Sequence, residues 1–173
     1  MRQWIGCVVC VWLSATAAHA GQVSIGFEGP GEGKAPVEMP EDGYRIVTRD
    51  IMISSAAKSG DGTDGPNEVE SEMNARGAIA VLRETPFTFI SLDWQSETGA
   101  PQIVVEGYSG AVMVARDRFV ARGIGTGFST FAADALRGHS IDRLILYLQR
   151  DGSGMGALDR VILEDAAELP ETS

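Results

Sequence analysis

The chain has 173 residues, with 14 Lys and Arg against 24 Asp and Glu, and a formal net charge of −10. That acidic balance argues against nucleic acid or an anionic lipid surface as partner. Roughly 150 residues beyond the first twenty suffice for one domain with its own core, and no apolar run after Gly21 reaches the ~18 residues of a membrane helix, so no membrane insertion is expected.

The first twenty residues read as a signal peptide. Arg2 supplies the positive charge, Trp4 to Ala15 a short apolar stretch, and Ala18-His19-Ala20 a small-residue cleavage site before Gly21. The expected location is therefore the periplasm or the extracellular medium. Cys7 and Cys10 both lie in this segment, so the exported part has no disulfide to close it. Val9 precedes Cys10 where a lipoprotein signal requires Gly, Ala or Ser, which argues against a lipid anchor.

Beyond Gly21 the apolar residues alternate, or form short runs between Gly, Pro, Ser and Asp clusters. Val23, Ile25 and Phe27 alternate with Ser24 and Gly26. Tyr44 to Val47, Ile51 to Ile53 and Ala78 to Leu82 are short apolar pieces. Thr88, Ile90, Leu92 and Trp94 alternate with Phe89, Ser91 and Asp93. Ile103 to Val105, Ala111 to Ala115, Gly127 to Ala132, Ile141 to Leu148 and Leu158 to Leu163 complete the series. The pattern predicts an all-β, antiparallel sandwich of about eight to ten strands. Tyr108-Ser109-Gly110 reads as a hairpin turn. Helical signals are confined to Val69 to Arg76, with Asn67 as N-cap, and to Ala132 to Leu136. Gly29 to Gly43 and Lys58 to Glu72 read as loops. Residues 21–165 read as one domain and 166–173 as a disordered tail.

Few residues suit catalysis. His139, beside Gly138 and Ser140, reads as a turn residue, and one histidine without cysteine leaves no zinc, copper or haem site. No Gly-x-Ser-x-Gly elbow is present. Asp61 and Asp64 stand in a glycine-rich loop, Gly60 to Glu68, whose oxygens suit Ca²⁺ or simply a flexible acidic loop. Glu28 and Asp159 flank the first and last predicted strands. If those strands are neighbours the two acids can share a cation; otherwise they are exposed strand acids. Trp94, Tyr44, Tyr108 and Tyr147 are the rings that can stack on a sugar. The phase of Trp94 with Ile90 and Leu92 favours the core, as does the apolar run around Tyr147, whereas Tyr108 is expected to be exposed. Arg116, Asp117, Arg118 and Arg122 either solvate a loop or hydrogen-bond hydroxyls or an acidic sugar. The candidate ligand-binding set is thus Tyr108, Arg116, Arg118 and Trp94. The candidate metal set is Glu28, Asp159, Asp61 and Asp64.

Gly26-Phe27-Glu28, the run Pro86 to Asp93, Val104-Val105-Glu106-Gly107-Tyr108, Ile141-Asp142-Arg143-Leu144 and Ala157-Leu158-Asp159-Arg160-Val161 together resemble a jelly-roll module of exported bacterial proteins. That module belongs to the galactose-binding-like group, which includes many carbohydrate-binding modules. The resemblance implies a structural Ca²⁺ near the chain ends and points to Glu28 and Asp159. Arg160 departs from it, since the similar proteins carry Asp or Asn there. The leading expectation is a secreted or periplasmic, non-catalytic binding module for glycan or another cell-surface polymer. The alternatives are a small exported polysaccharide hydrolase or lyase using paired carboxylates, and a structural envelope or matrix protein with a protein partner.

Overall fold

The computed structural model describes residues 21–55, 65–73, 75–121, 127–148 and 154–166. The signal segment, Asp61, Asp64, Arg122 and residues 167–173 lie outside them. The described residues form twelve strands, more than the sequence spacing suggests. They are β1 (Gln22–Ile25), β2 (Gly33–Lys34), β3 (Glu38–Glu41), β4 (Tyr44–Arg49), β5 (Ile51–Ser55), β6 (Asn67–Ser71), β7 (Ala78–Gly99), β8 (Gln102–Ser109), β9 (Val112–Val120), β10 (Ser129–Ala132), β11 (Ile141–Leu148) and β12 (Gly154–Asp165). Every pairing is antiparallel.

β7 organises the sandwich. Over Ala78 to Leu82 it lies between β4 and β11, and over Phe87 to Gly99 it pairs with β12. Between these stretches the strand is exposed at Glu84, Thr85 and Pro86. Its first part belongs to a sheet ordered β3-β4-β7-β11-β8-β9, and its second to a sheet ordered β5-β6-β12-β7-β10. The two runs read separately from the sequence are therefore one strand of 22 residues. Alternation buries Ile79 and Val81 in the first sheet and Phe87 and Phe89 in the second; a register slip at Ile90 then reverses the phase, so that Leu92 and Trp94 face the interior and Ile90, expected in phase with them, does not. Leu144, Leu146, Leu148, Ile103 and Val105 meet them. Each such side chain contributes about 1.5–3 kcal/mol by leaving water.

Three local expectations are corrected. Val69 to Arg76 holds no helical turn, because β6 runs as a strand whose Val69 is fully buried opposite Leu158. The presumed N-cap Asn67 instead donates its amide to the carbonyls of Phe27 (3.0 Å) and Pro30 (3.1 Å). The stretch Gly29 to Gly43 holds β2 and β3, the latter joined to β4 by Asp42-Gly43. Both residues have positive φ, 48° and 81°, as a two-residue type I′ hairpin requires. Tyr108 lies within β8, while Gly110-Ala111 forms the turn. Residues 133–138 form a single turn with no helix beyond it. The buried Asp117 carboxylate caps that turn, accepting N–H groups of Asp134, Ala135 and Leu136 at 3.1, 2.7 and 3.2 Å.

Candidate functional site

Strands of the first sheet alternate between core residues and an outer face, and that face is unusually apolar at its centre. β11 sends Leu144, Leu146 and Leu148 inward and Arg143, Ile145 and Tyr147 outward. β8 sends Ile103 and Val105 inward and Val104, Glu106 and Tyr108 outward, and β9 adds Arg116 and Arg118. Register sets them in rows. Tyr147 stands between Val104 and Ala78, Ile145 between Glu106 and Ala80, and Arg143 between Tyr108 and Leu82. Arg118 and Arg116 complete the first two rows opposite Val104 and Glu106. Tyr147 is partly exposed between the small side chains of Val104 and Ala78.

The polar groups on this platform hold one another in place. Glu106 is nearly buried; its Oε1 accepts Arg116 Nε at 3.0 Å and Nη2 at 2.7 Å, and its Oε2 accepts the Tyr108 hydroxyl at 2.8 Å. That hydrogen bond is the main reason the Tyr108 phenol is shifted above its ordinary value, with burial adding to it. The Arg143 guanidinium lies 4.5 Å from the Tyr108 ring centre, in cation–π contact. Its Nη2 donates to the Gly110 carbonyl at 3.2 Å. Arg118 Nε donates to Gln102 Oε1. Two rings, three guanidiniums and one carboxylate are thus gathered on the outer face of three neighbouring strands.

Of the expected ligand-binding residues, the structure brings Tyr108, Arg116 and Arg118 to this one face. Trp94 is corrected. It is 0% exposed in the core, its indole N–H facing the Pro101 carbonyl at 3.4 Å, so its ring face cannot meet a ligand. Tyr147 is corrected in the other direction, from core to platform. Glu106 and Arg143 were not singled out by the sequence, because their roles come from neighbours on other strands.

The four expected metal ligands divide. β1 pairs with β12 up to Ile25 opposite Val161, so the first and last strands are indeed neighbours and bring Glu28 and Asp159 to adjoining segments. Asp159 is fully buried where the β12 register slips between Leu158 and Arg160. Glu28 is exposed and held by the segment that follows residue 64: its Oε1 accepts the Asn67 N–H at 3.2 Å. A Cβ at Gly65, whose φ is 121°, would run into the same carboxylate. Among the described residues no group of three or more His, Cys, Asp or Glu is placed to hold a metal.

No protein-family model and no curated protein matches the chain. Among solved structures, a variant of a family 29 carbohydrate-binding module superposes with a TM-score of 0.51 at 15% identity, covering 86% of this chain and 93% of that one. A second family 29 variant, solved in complex with cellulohexaose, gives a TM-score of 0.50 at 16% identity over 87% and 94%. A DUF4465 family protein from Bacteroides caccae gives 0.51 at 8% identity over 84% and 99%. At such identities the likeness is one of architecture: this chain has the β-sandwich found in carbohydrate-binding modules.

Proposed function

We propose that the protein is an exported, non-catalytic glycan-binding module, and that it reads a sugar chain on the outer face of the β3-β4-β7-β11-β8-β9 sheet. The observation that carries this reading is the platform of Tyr108 and Tyr147 with Glu106, Arg116 and Arg143 fixed around it. Apolar C–H faces of pyranose rings suit the exposed tyrosine faces, and forked guanidinium donors suit hydroxyl or carboxylate oxygens. Preformed polar groups on rigid strands lose little side-chain freedom on binding. The architecture shared with family 29 carbohydrate-binding modules agrees with the reading. A structural Ca²⁺ near the chain ends is its second part. Glu28, Asp61, Asp64 and Asp159 are the residues that would hold it.

Isothermal titration against a panel of soluble oligosaccharides tests the site. Tyr147→Ala and Tyr108→Ala are expected to lower affinity at least about tenfold while leaving the urea midpoint within roughly 1 kcal/mol of the parent. Trp94→Ala is expected to cost about 3–5 kcal/mol in stability instead. Unchanged binding in both tyrosine variants would remove the platform from consideration, and release of reducing ends from a polysaccharide would replace the binder with an enzyme.

A further inference from the structure

The outer face of the first sheet has the opposite charge to the chain as a whole. Arg45, Arg49, Arg116, Arg118 and Arg143 project from it against Glu38 and Glu106, in a protein whose formal net charge is −10. Glu106 is already engaged by Arg116 and Tyr108, Glu38 by Arg45 at 3.2 Å, and Arg49 lies 3.9 Å from Asp50. Arg143 has no carboxylate partner among the described residues, and its Nε is buried without a hydrogen-bond acceptor. Beside it opens a depression of about 860 Å³, walled by Arg45, Leu82, Arg83 and Arg143, with the carboxylates of Glu84 and Asp142 also on its lining. Tyr44 also lines it; this residue is 2% exposed and its hydroxyl has no partner. A buried donor left without an acceptor is costly.

A neutral glycan has no use for an excess of cations, whereas a chain bearing one carboxylate per ring matches it. Attraction to this face and repulsion from the rest of an acidic surface would also orient the polymer as it arrives. We propose that the ligand class is acidic: a uronate polysaccharide whose carboxylates meet Arg116, Arg118 and Arg143 while its rings lie on Tyr108 and Tyr147, the chain continuing into the depression lined by Tyr44. This inference rests on the glycan-binding reading above.

The test compares hexamers of galacturonate and of mannuronate with the methyl ester of each, and with cellohexaose. At least one acidic hexamer is expected to bind about tenfold or more tightly than its ester, a gap that narrows as salt screens the charges. Arg143→Gln and Arg118→Gln are each expected to weaken the acidic hexamer by a larger factor than its ester. Equal affinity for acid and ester, or binding of cellohexaose alone, would overturn the acidic ligand and leave the glycan-binding module standing. Failure of all five probes to bind would overturn both.

Discussion

Arg160 stands directly opposite Asp93 across β12 and β7, and its Nε donates to Asp93 Oδ2 at 2.6 Å. The side chain of Asp93 is 1% exposed and that of Arg160 29%. Thr130, one strand further along, donates its hydroxyl to the other Asp93 oxygen. Arg160 therefore neutralises a carboxylate buried in the second sheet, which accounts for a cation where similar jelly rolls carry an acid or amide.

Arg160→Met is expected to destabilise the fold by about 2 kcal/mol. This is less than the roughly 3–5 kcal/mol of a fully buried pair, because the guanidinium keeps part of its surface in water. Adding Asp93→Asn removes the stranded charge and is expected to recover about half of the loss. Urea denaturation of the two variants measures both effects, and an additive double variant would show that the two side chains do not act as a pair.

Asp117 accepts three backbone N–H groups of the turn at 134–136. Asp117→Ala leaves those donors without an acceptor and is expected to cost about 2 kcal/mol, while Asp117→Asn, which keeps one oxygen, costs about half as much. Chemical denaturation decides, and equal costs for Ala and Asn would place the effect elsewhere.

Burial raises the Glu41 carboxyl above the ordinary glutamate value of 4.5, against the opposing effect of N–H bonds from Gly26 (2.7 Å) and Phe27 (3.0 Å). The folded chain keeps this proton at a pH where the unfolded chain has released it. The residue therefore favours folding fully below about pH 4.5, and that contribution fades as pH rises through the raised value. Glu41→Gln keeps an acceptor but does not titrate. The difference in urea midpoint between parent and variant is expected to move in the variant's favour from about pH 4 to 7. A constant difference would mean that Glu41 titrates normally.

Calcium is tested by melting. A ligand that binds only the folded state adds about 2.7 kcal/mol at a hundredfold excess over its Kd. The protein is expected to melt higher in calcium than in EDTA, and Glu28→Gln to shrink the gap. Superimposed curves would eliminate the ion and leave the platform untouched.

The apolar run Phe87 to Trp94 made the second sheet legible, but not its phase: Phe89 rather than Ile90 is core, because the register slips at Ile90 opposite Ile162 and Leu163. The continuity of β7 was not legible, because Arg83-Glu84-Thr85-Pro86 has the composition of a turn. The conformation holds because Arg83 fastens the bend: it donates to the carbonyls of Thr85 and Pro86 and to Asp165, over the Tyr44 ring. β6 resembled a capped helix start because Asn67 precedes it; the strand instead buries Glu68, whose carboxylate accepts from Gln95 and Ser54, both distant in sequence. At the candidate site Tyr108, Arg116 and Arg118 were readable as polar or turn-adjacent groups. Tyr147 was not, because Ile145 and Tyr147 are apolar on the face opposite Leu144 and Leu146, so no alternation distinguishes outside from inside.

A strand that belongs to both sheets leaves neither able to open alone. Losing the first sheet would strip Ile79 and Val81 of partners, and the fraying would pass through the bend to Phe87 and Phe89. The molecule should therefore lose its structure in one cooperative step, with amide protons on both arms of β7 among the slowest to exchange and at a common rate. Its pairings also join residues as distant as Val23 and Leu163. Ordering such separated segments makes for high contact order, so folding should be slow, and newly made chains would spend that interval with sheet edges open to aggregation.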